Sequence, residues 1–174
     1  MFSLNICNDT VFFEDIKIEH LPLILKWYNK VDDFRFATGI DNPISLDVLT
    51  RKYAEVAICS NEFFVGVYLC KEKKMIGILK GRFEYENKQS AWISSIVIDP
   101  QHQKKGYGSA AVSLLISFLK EKSNIRNVYL AVIEENIQGR SFWNKHHFIE
   151  LRRIENHLKL QNRQQNVLIM QKSI

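Results

Sequence analysis

The stretch Gln103-Lys104-Lys105-Gly106-Tyr107-Gly108, followed by Ser109, sets two lysines beside two closely spaced glycines. Glycine lets the backbone approach a ligand with no Cβ in the way. The N–H groups that open a helix face outward at the positive end of its macrodipole. A Q-x-x-G-x-G pattern between a strand and a helix is therefore suited to a pyrophosphate. Lys104 and Lys105 add charge without fixed geometry, because an ammonium on a flexible stem acts as a point charge. The same residues would also serve a turn that holds nothing. They match neither the G-x-x-x-x-G-K-[ST] of a P-loop nor the full G-x-G-x-x-G of a dinucleotide fold.

Other side chains able to do chemistry are scattered. Glu84 and Glu86 share one side of a strand by period two and could bind or deprotonate a cationic amine; near a hairpin turn they could equally be solvated charges. His146 and His147 stand at a helix end, where they could reach a cleft or complement the helix dipole. Cys7, Cys59 and Cys70 are odd in number and lack C-x-x-C spacing, which argues against a disulfide framework and a zinc site. Cys59 and Cys70 are expected to pack as small apolar groups, and no metal is expected.

The elements that must position these groups follow from periodicity. Val11 to Phe13 reads as a first strand. A helix follows, with Leu21, Ile24, Leu25 and Tyr28 on one face and Pro22 in its first turn. Ser45 is placed as the N-cap of a second helix bearing Leu46, Leu49, Tyr53 and Val56. Two helices are thus expected after the first strand. Phe63 to Cys70 and Met75 to Tyr85 form a hairpin across KEKK, and a third run, Ala91 to Ile98, ends at Asp99-Pro100. After the loop, Ala111, Leu114, Leu115, Phe118 and Leu119 trace an amphipathic helix, and Asn127 to Glu134 is a buried strand. A strand-helix-strand unit makes its two strands parallel, so the sheet is mixed. A short helix near Gly139 to Lys145 and a closing strand pair near Phe148 to Ile154 and Val167 to Met170 complete the chain. Their Asn- and Gln-rich connection is expected to be a mobile loop.

The 174 residues fit one domain, 1–174, with an ordinary composition of 46% hydrophobic and 25% charged residues. No apolar stretch would span a bilayer and the N-terminus lacks a secretory pattern, so a cytoplasmic protein with no membrane partner is expected. The net charge of +5 is uneven: from Leu151 onward, Arg152, Arg153, Lys159, Arg163 and Lys172 stand against Glu155 alone. Basic charge with no nucleic-acid motif disfavours nucleic-acid binding. The oligomeric state is open, a homodimer among the options.

In IVIDPQHQKKGYGSAAVSLL a strand, a proline turn and Q-x-x-G-x-G opening a helix stand in register with Asn136, Gly139, Phe142, Trp143 and His147-Phe148 downstream. This arrangement resembles the GNAT superfamily of acyl-CoA-dependent N-acyltransferases, and the likeness extends over nearly the whole chain. It implies an α/β fold: a mixed, mostly antiparallel twisted sheet with a central parallel strand pair and flanking helices. It also implies acetyl-CoA as co-substrate and a primary amine, small molecule or peptide N-terminus, as acceptor. On the family pattern, backbone groups of Ile96, Val97 and Ile98 would pair with the pantetheine arm, as an added strand does. Gln103, Lys104, Lys105, Gly106, Gly108 and Ser109 would cradle the pyrophosphate, with Tyr107 a contact of the same loop. Asn136 would touch the cofactor arm, or cap the next helix, or both.

The acyl group would pass directly to the amine. Trp143 departs from the pattern, because family members usually have there a tyrosine that protonates the leaving thiolate, and an indole N–H is no practical acid near neutral pH. His147 stands where the family has glycine. Glu84, Glu86 and His147 are the candidates for proton handling, and a non-catalytic acyl-CoA-binding module is the rival class.

Overall fold

A computed structural model describes residues 1–84, 89–122 and 124–174 of the chain. Its strands are β1 (Val11–Asp15), β2 (Glu62–Leu69), β3 (Met75–Glu84), β4 (Ser90–Ile98), β5 (Asn127–Ile133), β6 (Ile149–Leu160) and β7 (Arg163–Ser173). Its helices are α1 (Leu21–Tyr28), α2 (Val31–Thr38), α3 (Leu46–Ala57), α4 (Tyr107–Lys122) and α5 (Ile137–Lys145). The strands form one sheet in the order β1-β2-β3-β4-β5-β7-β6, antiparallel throughout except for β4 and β5. This is the mixed sheet with a central parallel pair that the strand-helix-strand unit requires.

Both faces of the sheet are covered, which is why its central strands read as unbroken apolar runs rather than alternating ones. On β2, Phe63, Val65, Val67 and Leu69 point to the face on which α4 lays Ala111, Leu115 and Leu119. Phe64 and Tyr68 point the other way, into a second core with Leu21, Ile24 and Trp27 of α1 and Leu49 and Val56 of α3. The Ser45 hydroxyl accepts the Val48 N–H at 3.3 Å and so caps α3 as expected, although Leu46 remains exposed. Cys59 and Cys70 are half-buried thiols donating to the carbonyls of Glu55 and Asn8, and Cys7 is exposed; all three are free.

Two expectations need correction. Three helices follow β1, not two: α2 buries only Phe34 and ends at Gly39, whose φ of +68° stops the helix in the left-handed region. One apolar anchor in eight residues leaves no stripe to detect. The connection of the last two strands is also not a mobile loop. Gln161 and Asn162, with φ of +51° and +58°, form a two-residue turn whose twist matches that of the strands it joins. The strands therefore run much further than their apolar cores, and the turn docks its Gln161 N–H on Asp41 Oδ2 at 2.8 Å.

Candidate active site

The central parallel pair is short. β4 and β5 are in register from Ser90 opposite Asn127 to Ile93 opposite Leu130, and there the pairing stops. From Ser94 to Ile98, β4 continues along β3 only, while Ala131 to Ile133 of β5 stay bonded to β7. A bulge marks the parting point: Lys80 faces Ser95 and Gly81 faces Ile93, which leaves Ser94 as the extra residue. A bulge bends its strand and re-aims its side chains. Gly81 is required there, because a Cβ would overlap the Trp92 carbonyl and the Phe63 ring. The result is a cleft of about 480 Å³ whose one wall is a strand edge unpaired on its β5 side.

The loop after β4 closes one end of this cleft. Asp99 accepts the Gln101 N–H at 3.0 Å and the Trp27 indole N–H at 3.0 Å, which fixes the chain as it leaves the strand. Burial would raise the Asp99 carboxyl, but those two hydrogen bonds, with the charges of Lys30 and His102, bring it below its ordinary value. Gln103 donates its side-chain amide to the Ile98 carbonyl at 2.8 Å and ties the loop back to the strand end. Lys104 and Gly106 then take φ of +56° and +85°. The first helical bond of α4 runs from Ala110 N–H to the Gly106 carbonyl at 2.9 Å, so the N–H groups of Tyr107, Gly108 and Ser109 have no acceptor within the helix.

Most of the residues expected to hold a cofactor meet here. Ile96, Ile98, Gln103, Lys104, Gly106, Gly108, Ser109 and Asn136 all line the cleft. Lys105, exposed, and Tyr107, packed near the His102 ring, do not. Val97 turns its side chain into the core beneath α1 and α3 and its backbone toward Ile78 of β3, so on this stretch the backbone groups that face the gap are those of Ile96 and Ile98. Asn136 caps α5 by accepting the Gly139 N–H at 2.8 Å and lines the cleft as well.

Of the expected proton-handling residues, Glu84 and His147 do not line the cleft. Glu84 faces Ser90 at the start of β4, about four residues or roughly 13 Å of strand from the parting point. It is held by Arg82 and the Ser90 hydroxyl, and it does not line the cleft. Glu86 lies outside the described residues. His147 is exposed and works through its backbone. With φ of +61° it ends α5 in a Schellman motif: its N–H donates to the Asn144 carbonyl at 2.9 Å and that of Phe148 to the Trp143 carbonyl at 3.1 Å. The Trp143 and Phe148 rings, 5.2 Å apart, supply the apolar contact of that motif. Trp143 is buried and still lines the cleft, whose described lining carries no imidazole and, as a carboxylate, Asp33 alone.

The residues that sequence reasoning missed come from α2 and the bulge. Asp33, Phe36 and Ala37 overhang the cleft, and the Ser95 hydroxyl donates to the Ala37 carbonyl at 2.7 Å. Asp33 is the one acid among the described lining residues, against Lys104 and Lys145. The available signal was the pair Asp32-Asp33 ahead of Phe34, acids in a helix first turn, with Gly39 as the stop.

Among described residues no helix is long and apolar enough to cross a membrane, and no group of acidic, histidine and cysteine side chains could hold a metal. Solved structures share the fold over nearly their full length. A spermidine N-acetyltransferase from Vibrio cholerae, in complex with CoA and spermine, is similar at a TM-score of 0.82 and 21% identity, covering 95% of this chain and 96% of that one. An acetyl transferase from Salmonella typhimurium that modifies the N-terminal serine of a 50S ribosomal subunit protein is similar at 0.83 and 16%, covering 96% of each chain. A probable GNAT-family acetyltransferase from Chromobacterium violaceum is similar at 0.86 and 13%, covering 99% and 87%. No curated protein matches by sequence. The family model for the Acetyltransferase (GNAT) family matches residues 26–148, from α1 through the end of α5, and with both halves of the cleft inside that span the chain belongs to the GNAT acetyltransferase family.

Proposed function

We propose that this chain, acting as one domain over residues 1–174, transfers an acetyl group from acetyl-CoA to a primary amine. The observation that carries the reading is the parting of β4 from β5 at Ser94, which ends on the uncommitted N–H groups of Tyr107, Gly108 and Ser109. A pantetheine arm carries amide groups that fit an unpaired strand edge, and a pyrophosphate fits a helix start beside Lys104. The fit of these residues to CoA rests on those unmet backbone groups. The thioester of the bound co-substrate supplies the activated acyl carbon, and the protein's part is to place it within reach of the amine and to exclude competing geometries. A neutral amine attacks that carbon, the C–S bond breaks, the sulfur leaves as thiolate and the new amide loses a proton to solvent. A thiol of ordinary pKa about 8.5 makes a tolerable leaving group without an acid.

Asp33, carried by α2, is suited to receive a cationic amine. That favours acceptors bearing more than one ammonium, one to be held and one to react. The spermidine N-acetyltransferase that shares the fold acts on such a molecule, and the Salmonella enzyme on a peptide N-terminus, so both classes belong in the assay. The test is release of free thiol from acetyl-CoA against polyamines, aminoglycosides, amino acids and peptide N-termini. Release should depend on one acceptor class. It should fall at least tenfold in Gly106→Val, since a β-branched residue at φ of +85° must move the loop.

A second reading, an acyl-CoA-binding module without turnover, is favoured by Trp143 at the position of the family's usual acid. Tight CoA binding with no acceptor-dependent thiol release from any panel member would support it.

A further inference from the structure

Ser109 is the third residue of α4, and its hydroxyl borders the cleft 3.0 Å from His146 Nε2. His146 is itself held in place. Its ring lies 4.8 Å from the Phe142 ring, its N–H donates to the Trp143 carbonyl at 3.0 Å, and its carbonyl accepts Lys172 Nζ at 3.0 Å. A hydroxyl has one hydrogen to give. If Nε2 accepts that hydrogen, Ser109 shows the cleft only lone pairs; if Nε2 carries a proton and donates, the hydrogen is free to turn toward the cleft. A neutral imidazole can adopt either arrangement, whereas an imidazolium has only the second. An anion in the cleft requires the second.

We propose that His146 is a positioning residue for the anionic end of the cleft: by donating from Nε2 to Ser109 Oγ it aims the Ser109 hydroxyl hydrogen at the bound anion, and binding is thereby coupled to protonation of the imidazole. The inference rests on the acetyl-CoA reading of the cleft. In the free protein, burial first, then the charges of Lys145, Lys172 and His147, hold the His146 pKa below its ordinary value. Lys145 and His147 flank it in the chain, Lys172 reaches it from β7, and α4 faces it with the uncharged Ser109. An anion beyond Ser109 offsets that repulsion and raises the pKa, so the complex takes up a proton. Affinity is then highest at low pH, declines as pH rises through the pKa of the complex, and is constant above it.

The test is the dissociation constant of 3′-dephospho-CoA between about pH 5.5 and pH 8, where imidazole titrates and the pyrophosphate does not. CoA itself is avoided because its phosphate monoester titrates near pH 6. The wild-type protein should bind about tenfold more tightly at the acid end, the equivalent of one pKa unit. Its binding enthalpy in two buffers of different ionisation heat should report proton uptake. His146→Gln, which can still bond Ser109 but cannot titrate, should bind with one affinity across the range. Ser109→Ala should shrink the wild-type ratio. A flat wild-type profile, or the full tenfold ratio surviving in His146→Gln, overturns the proposal. Survival of that ratio in Ser109→Ala removes the hydroxyl and overturns it equally. No binding by the wild type at any pH refutes the acetyl-CoA reading itself, and the inference falls with it.

Discussion

His147 sits in the left-handed region, where a residue with a Cβ costs about 1 kcal/mol or more relative to glycine. The whole Schellman motif of α5 is formed around it, so glycine would relieve that cost without moving a partner. His147→Gly should stabilise the protein by about 1 kcal/mol and raise the melting temperature by about 2–4 °C at this chain length, measured by circular dichroism. Thiol release should be unchanged. A fall in turnover would return the imidazole to the chemistry. The sequence shows two histidines at a helix end, and residue types alone do not say which acts through its ring and which through its φ. Asn136 was more legible, because an N-cap amide serves the helix and the cleft from one position. The position of the loop beside the cleft was legible for a similar reason: its path is set by backbone conformation, and glycine spacing records it. Glu84 was misleading because period two gives a side of the strand but not a distance along it.

At the scale of elements, α2 is the segment whose absence from the sequence reading mattered most. Strands β2 to β5 are each buried over most of their length and announce themselves by composition, whereas α2 buries Phe34 and exposes Asp32, Asp33 and Phe36. What it exposes is its contribution to the cleft. Asp33→Asn keeps the shape and removes the charge. For a polyamine acceptor it should raise KM about fivefold, as expected for losing about 1 kcal/mol of a solvent-accessible ion pair, with kcat little changed. Steady-state kinetics at low and high salt checks it, since the wild-type advantage should shrink as salt rises. A fall in kcat at unchanged KM would instead make Asp33 a base. The turn at Gln161-Asn162 was unreadable for another reason: residues other than glycine supply both left-handed positions, so polar composition suggested slack where the chain turns tightly.

At the scale of the whole molecule, an electrostatic joint ties the last three strands together. Glu134, just past β5, receives Arg153 of β6 through both oxygens, at 2.8 and 3.0 Å, and Asn166 of β7 at 2.7 Å. Those hydrogen bonds hold its carboxyl down at about 2 against an ordinary 4.5. A carboxyl depressed by folding adds stability that is complete above the unfolded value and disappears as pH falls toward the folded one. The urea midpoint of the wild type should therefore drop between about pH 4.5 and pH 2 more steeply than that of Glu134→Gln, and parallel profiles would remove the joint from the stability of the fold. The joint lies wholly on one side of the molecule. Strands β1 to β4 with α1 to α3 form one plate and β5 to β7 another, and within the sheet the described residues join the two by the four pairs from Ser90–Asn127 to Ile93–Leu130 and by the Arg126 N–H to Gln89 carbonyl bond just ahead of them. Whatever bridges the gap beyond Ile93 therefore acts as a strut between two bodies as well as a guest, and the stiffness of the molecule across its middle rises and falls with the occupancy of its cleft.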